Sequence, residues 1–483
     1  VSPASARDHD VNPTLILSVL SLAGLAYAVL SSAVIPALPL IQRDLHTSET
    51  GVGWLLTAFL LSASVGTAVL GRLGDIYGKA RVLVCTLLVL GAGTLLAALS
   101  SSLAMLIVAR VIQGVAGGIF PLAFAIARDE FPRDRVAGSI GLMSSILGIG
   151  GGCGMVLGAL IAERLGWHWL FWIPLVVTVF AAFMIWRVVP ESPVRAPGTI
   201  NWLAGSIMSV GICLVLIAVA QTTVWGWGSA KSLGLLAAGL VICVIWVVVE
   251  VRSRVPLIDM TMMRIRGVWT TNLAAFLLGG GMYAAFLVVP EFAQLPKSTG
   301  FGFGASVLVS SLYLLPAALG MGVLGTVAGR IASAYGSKPA LLVGSALTGI
   351  GFGFLAIQHG HPYDMLIMSA LLGIGMGLAF AALGNLIVQA VEPHQTGVAS
   401  GMNTVMRTLG GALGGQLSAT FIANNVSHHL PTVTGFTATY WMAAIFLFVT
   451  VIAGTQIPNI VAGAPAVVPA APVPEAALAE AQL

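Results

Sequence analysis

Apolar windows of about 17 to 28 residues recur from one end of the chain to the other, each bounded by a short polar or charged stretch. At 1.5 Å rise per residue, such a window matches the ~30 Å hydrocarbon core of a bilayer. Fourteen windows are read, over residues 14–40, 51–70, 82–99, 103–127, 136–162, 167–186, 202–224, 233–249, 267–289, 305–328, 339–357, 365–391, 396–423 and 437–457. Polar/apolar alternation at period two is absent, so a lipid-facing β-barrel is excluded and helices must satisfy the backbone. The expected fold class is an all-α integral membrane protein with 14 transmembrane helices.

Composition agrees: 58% of the residues are hydrophobic and 8% charged, against about 25% charged in a soluble domain. An even number of spans puts both termini on one side. Of the 21 Lys and Arg, fifteen fall in segments on that side, Arg72, Lys79, Arg81, Arg128, Arg195 and Lys338 among them. Four, Arg43, Arg164, Lys231 and Lys297, fall on the other side, and Arg110 and Arg407 lie within spans. Positive charge gathers in cytoplasmic loops, so both termini are expected in the cytoplasm and the membrane is expected to be the inner, cytoplasmic one. The same bias accounts for the pI near 9.0 without a nucleic-acid partner. Cys85, Cys153, Cys213 and Cys243 fall inside spans without metal-ligand spacing; they read as core residues, with neither a disulfide framework nor a metal site. The first span is too long for a removable signal peptide, and the Ala/Pro-rich tail 458–483 reads as a disordered cytoplasmic end. No Gly-x-x-x-x-Gly-Lys-Ser/Thr loop and no nucleophile constellation is present, so an ATP-driven pump or an enzyme is not expected and no cofactor is implied.

The chain repeats itself. Residues 71–83 (GRLGDIYGKARVL) match 329–341 (GRIASAYGSKPAL) at five of thirteen positions, an offset of 258. Further on the offset is 260: Met105-Leu-Ile recurs as Met365-Leu-Ile, and Gly141, Gly150, Gly151 and Gly154 recur as Gly401, Gly410, Gly411 and Gly414. Duplicated bundles are a common transporter plan. The expected organisation is a cytoplasmic N-terminus (1–13), a six-helix bundle (14–187), a linker with two extra spans (188–266), a second six-helix bundle (267–457) and the tail.

These residues resemble the major facilitator superfamily, and within it the fourteen-helix drug:proton antiporter branch. Gly71, Leu73, Asp75, Gly78, Lys79 and Leu83 are similar to the superfamily's signature between helices 2 and 3, with Ile76 where a basic residue is usual. The run LIVARVIQGVAGG, from Leu106 to Gly118, resembles the helix 4 signature. Residues 37–45 and 54–59 resemble the branch's first hairpin. Gly150, Gly154 and Gly158 keep the glycine spacing of the antiporter signature in helix 5, with Met155 where proline is usual and Ala159 for the last glycine. Leu30, Ser31 and Ser32 stand where the branch usually has an acid in helix 1. The resemblance implies export of small amphipathic organic molecules by proton antiport, with substrate, protons and the lipid bilayer as partners and a monomeric protein.

Several residues are singled out on physical grounds. Gly150, Gly154 and Gly158 make a smooth stripe that serves either tight packing or a seam on which the halves slide. Asp75 is expected, from the family architecture, near the helix N-terminus at residues 395–397, whose partial positive charge favours an anion. Arg128 completes a charge relay in that reading, with Gly71, Gly78, Lys79 and Arg81 in the same gating motif. Ser333 at the repeat's equivalent position makes the latch asymmetric. Arg110 is a mid-span guanidinium with Gln113 and Gly117 on its face, and the repeat has Ala370 there; it reads as a cavity residue or a structural hydrogen-bond post. Asn403 and Arg407 in the thirteenth window are further cavity candidates. Glu291 is the most apolar-embedded acid and the candidate proton carrier, unless it is a surface-loop residue. Asp129, Glu130 and Glu163 read as interfacial charges, and His168 as an interfacial anchor beside belt tryptophans. Uptake on the same fold, or a non-transporting membrane sensor, are the alternatives to export.

Overall fold

The computed structural model describes residues 12–427 and 430–458, so most of the terminal segments 1–13 and 458–483 lie outside the described residues. The described chain is almost wholly helical. Its long helices are α1 Pro13–Ser32, α2 Glu49–Tyr77, α3 Lys79–Ala98, α4 Leu103–Glu130, α5 Arg133–Leu165, α6 Trp169–Val188 and α7 Trp202–Ala220. They continue with α8 Ala230–Arg252, α9 Arg266–Gln294, α10 Leu315–Tyr335, α11 Ser337–Ile357, α12 Pro362–Gln389, α13 Thr396–Ala423 and α14 Val433–Thr455. A 3₁₀ turn at Val115–Gly118 interrupts α4. Strands Val426–Ser427 and Leu430–Pro431 pair antiparallel between α13 and α14.

Helix starts follow the side chains that can take up first-turn amides. Ser48 caps α2, Ser102 caps α4, Asn201 caps α7 and Ser229 caps α8. Among the described residues, thirteen helical segments are long and apolar enough to cross a membrane, so the chain is a multi-pass membrane protein. The window read at 396–423 is a helix with those same bounds, α13, but it is outside the thirteen. Its glycines, Ser, Thr, Asn403 and Arg407 lower its hydropathy, and its face toward α2 and α9 is buried against protein. The opposite case is α8, with 17% of its window buried and Leu240, Val241 and Val244 exposed on an apolar surface that suits lipid.

The apolar core falls into a larger cluster that gathers the first six long helices with α7 and reaches across to Ile387, Val388, Val398 and Met402 of the second half, and another built mainly from α9 to α14. Helices α7 and α8 pack on each other, and α7 also touches α2 and α13, one from each half.

The glycine stripe of α5 faces α1 within its own half. A Cβ at Gly150 would lie 2.4 Å from that of Ala28, and one at Gly158 would lie 2.2 Å from the Ala33 carbonyl oxygen. The sliding-seam role therefore does not fall to Gly150, Gly154 and Gly158. The halves meet on the neighbouring face of α5, where Gly138, Gly141 and Gly152 lie against Gly329, Gly325 and Ala318 of α10. They meet again where Thr67 and Gly71 of α2 touch Gly401 and Gly397 of α13. Two smaller expectations are also corrected. Cys85 is exposed on the apolar surface and is not a core residue. Trp167 is fully buried, stacked on His168 and donating to Asp44 Oδ2 at 2.9 Å; the exposed tryptophan there is Trp169.

Within the second half, a Cβ on Gly414 would lie 2.2 Å from the Gly280 carbonyl oxygen, whereas one on Gly415 would meet open space. Gly414→Val is expected to lower the thermal midpoint of the detergent-purified protein by an amount equivalent to about 1–3 kcal/mol of overpacking, and Gly415→Val to leave it within error. Equal shifts from the two would contradict the α9–α13 contact.

Candidate functional site

The 71–83 loop sits where the inner ends of the two halves converge, on the side that the charge bias assigns to the cytoplasm. Asp75, fully buried at the end of α2, accepts from Gly397 N at 3.2 Å and Val398 N at 3.0 Å. These are first-turn amides of α13, which have no intrahelical acceptor and carry the positive end of the helix dipole. Close approach is what Gly71 permits, since a Cβ there would lie 2.3 Å from the Gly397 carbonyl oxygen. Arg128 makes no hydrogen bond to Asp75. It reaches across the same junction to Thr396 Oγ1 (2.8 Å) and the Val391 carbonyl (2.9 Å), so both residues grip the entry to α13.

Lys79 is fully buried and paired with Asp129, whose Oδ2 also accepts from Ser192 Oγ at 2.5 Å. Asp129 is thus an interior ion-pair partner, not an interfacial charge. Arg81 is mostly exposed, 3.7 Å from Glu191. Glu191 accepts from Ala80 N (3.2 Å) and Arg81 N (3.0 Å), capping α3. Gly78 has φ +116°, and a Cβ on it would lie 2.6 Å from the Glu191 carboxylate, so the turn requires glycine there. Ala196 N donates to the Asp75 carbonyl at 2.6 Å. The segment leading to α7 therefore straps the loop, a part of the site that the sequence reading missed because Glu191 and Ser192 carry no motif. Missed too is Glu250 at the inner end of α8, buried and accepting from Trp246 Nε1, Leu257 N and Ile258 N.

Arg110 is fully buried on α4. Its Nε donates to the Leu55 carbonyl (3.2 Å), and its Nη1 to the Leu30 carbonyl (3.4 Å) and Gln113 Oε1 (3.0 Å). The guanidinium lies 4.1 Å from the centre of the Phe59 ring, and Gln113 Nε2 donates to Thr94 Oγ1. Arg110 and Gln113 thus tie α1, α2, α3 and α4 together, and only Nη2 is without a hydrogen-bond partner.

A separate, small space, about 10 Å³ of room for water-sized molecules, lies between the halves. Phe120, Phe124, Ser144 and Leu147 line it from the first half, and Phe380, Gly384, Ile387, Ser400, Asn403, Thr404 and Arg407 from the second. The 260-residue offset relates four pairs of these positions: Phe120 with Phe380, Phe124 with Gly384, Ser144 with Thr404, and Leu147 with Arg407. The cavity therefore lies on the pseudo-two-fold axis. Arg407 is about 16 Å along α13 from Thr396, near the middle of a ~30 Å core. Its guanidinium is 5.0 Å from the centre of the Phe380 ring. Asn403 Nδ2 donates to the Thr271 carbonyl (3.3 Å) and Asn272 Oδ1 (3.0 Å), fixing α13 to α9. Of the sequence-predicted cavity residues, Asn403 and Arg407 line this space and Arg110 and Gln113 do not. Glu291 lies within α9, not in a loop, half-buried and within electrostatic reach of Tyr440. It too is away from the cavity.

A profile described as the Major Facilitator Superfamily matches residues 20–415 and 271–475. The chain belongs to the Major Facilitator Superfamily. Its relatives in that family include Multidrug resistance protein 3 of Bacillus subtilis, 27% identical over 417 residues that cover 84% of this chain and 80% of the relative. The Tetracenomycin C resistance and export protein of Streptomyces glaucescens is 27% identical over 89% of this chain and 79% of its own length. In fold the chain is similar to the human organic anion transporter MFSD10, with TM-score 0.67 and 15% identity over 92% of this chain and 99% of that one. The superfamily motifs described above thus lie on the fold that the family shares.

Among the inner-end contacts the buried Lys79–Asp129 pair is the most exposed to a single deletion, because removing one partner leaves a buried charge. Lys79→Met should cost about 3–5 kcal/mol in stability, and the double change Lys79→Met/Asp129→Leu much less. A double variant as unstable as the single, read by thermal unfolding in detergent, would show that the pair is not the source of the loss.

Proposed function

We propose that this protein exports small amphipathic organic molecules across the inner, cytoplasmic membrane by alternating access, with inward proton movement as the driving force. The observation that carries this reading is the space between repeat-related positions of the two halves, near mid-membrane, with Asp75 of α2 joined to the start of α13 at the inner end. Sealing there leaves the site able to open only to the opposite side, and release of the latch exchanges that access. Export is favoured by the relatives that are named for multidrug resistance and for tetracenomycin C resistance and export.

On this reading all fourteen long helices cross the bilayer with both termini in the cytoplasm, and α7 and α8 are a hairpin inserted between two six-helix bundles. The protein works as a monomer without a cofactor. Asp75, Arg128 and the strapped 71–83 loop act as the inner latch, while Arg110 and Gln113 hold the first bundle in shape as it moves. Glu291 is the proposed proton site, since no carboxylate lines the cavity and Glu291 is a half-buried acid on the helix that Asn403 fixes to α13.

Everted membrane vesicles carrying the protein test this directly. With an acid interior, a transported compound is expected to accumulate inside and to lose its accumulation when a protonophore is added. Glu291→Gln should reduce that accumulation about tenfold while leaving exchange of compound between the two sides intact. Accumulation indifferent to the protonophore would remove proton antiport, and movement only outward from the everted vesicles would replace export with uptake.

A further inference from the structure

The cavity carries a charge with nothing to balance it. Arg407 is the single charged residue in its lining, and none of the ion pairs among the described residues includes it. Phe380 covers the guanidinium at 5.0 Å, and the other groups within electrostatic reach are the phenols of Tyr27 and Tyr283. Arg407 is half-buried, and a guanidinium facing a low-dielectric interior attracts an anion and repels a cation. Two more groups await a partner in the same space. Ser144 Oγ on α5 and Ser400 Oγ on α13, with residue exposures of 4% and 2%, have no hydrogen-bond partner. Each hydroxyl can donate to an anionic oxygen.

The walls are aromatic. Phe120 and Phe124, ring centres 6.3 Å apart, come from α4, and Phe380 from α12. Faces of this kind can bind cations, but here the ring of Phe380 already has the Arg407 guanidinium over it, and Phe59 behind the wall has that of Arg110. What is left is apolar ring surface beside an uncompensated positive charge. That charge stands on one wall only, because the position equivalent to Arg407 in the first half is Leu147.

We infer that the cavity selects aromatic molecules carrying a carboxylate or similar anionic oxygen over cations of the same size, with the anion held by Arg407, Ser144 and Ser400 and the ring against Phe120 and Phe124. This narrows the amphipathic substrate class of the proposed export reading, and rests on it for the cavity's role. The planar fork of Arg407 meets two oxygens at once, and the Leu147 wall takes the apolar end, so the ligand has one orientation.

Binding to the full-length protein in lipid nanodiscs, without any gradient, tests this with three ligands of one size: 1-naphthoate, 1-naphthamide and 1-naphthylmethylammonium. Empty nanodiscs report partition into lipid. Naphthoate should bind about tenfold more tightly than the amide, and the ammonium more weakly than either. Arg407→Gln should erase the advantage of naphthoate over the amide, and Arg407→Lys should keep part of it. Ser144→Ala/Ser400→Ala should weaken naphthoate and naphthamide by similar factors. Should Arg407→Gln fail to elute as a monodisperse peak, Arg407→Leu/Leu147→Arg moves the charge to the opposite wall and should keep the preference for naphthoate. Tighter or equal binding of the ammonium overturns the inference, as does a preference for naphthoate that survives Arg407→Gln, or no binding of any of the three. A failure here leaves proton-coupled accumulation of another compound in vesicles untouched, and naphthoate binding without such accumulation would sink the export reading alone.

Discussion

At their inner ends the two halves of this protein meet on one buried carboxylate, with Arg128 gripping beside it. Asp75 lies at the end of α2, fully buried, and satisfies two amides that open α13 in the other half. An anion in such a place is favoured by the donors and positive potential of the helix N-terminus, together with the charges of Lys79 and Arg72. Everything around it serves to keep that fit: Gly71 lets the backbones touch, Arg128 grips Thr396 and Val391, and the 189–200 strap returns to the Asp75 carbonyl. Separating the halves there would break the two Asp75 bonds and the two Arg128 bonds, and would part Val398, Ala399 and Met402 from the apolar cluster they share with the first half.

The symmetry of the repeat and its breaking divide the work. Symmetry places the cavity, because equivalent aromatic and hydroxyl positions of α4, α5, α12 and α13 face one another across the axis. Asymmetry gives the cavity a character. Arg407 faces Leu147, and Arg110, whose counterpart is Ala370, is spent on carbonyls of α1 and α2. A guanidinium tied to backbone carbonyls is a structural post; one facing open space beside unpaired hydroxyls is available to a ligand.

Much of this was legible in the sequence. Window length gave helices whose positions agree with the structure, and the 258–260 offset gave the correspondence that later explains the cavity lining. The proximity of Asp75 to residues 395–397 followed from the family resemblance and could not have come from local sequence, since the contact joins positions more than 300 residues apart. Other features are not legible there, for physical reasons. Mid-span charge is costly, which marks Arg110 out, but periodicity cannot distinguish a cavity from a ring of backbone carbonyls. The glycine stripe is compatible with tight packing or a seam, since small residues show that a helix is approached closely without showing by which neighbour; its packing on α1 is seen only in the structure. Phe120 and Phe380 were passed over because an aromatic inside an apolar window gives no contrast; the repeat offset was the signal that would have paired them. Glu191, Ser192 and Glu250 act through backbone amides of distant segments, and no spacing rule announces such a role.

The central claim is that Asp75 on α13 holds the inner end closed. Tyr77 and Tyr335 are equivalent in the repeat, stand at the inner ends of α2 and α10, and are 51% and 78% exposed, so spin labels at both sites read the separation of the halves. In lipid nanodiscs and a cysteine-free background, the distance distribution of the otherwise unchanged protein should contain a short population that dominates. Introducing Asp75→Asn should transfer much of it to a second, longer population. A distribution that does not change on Asp75→Asn would contradict the account.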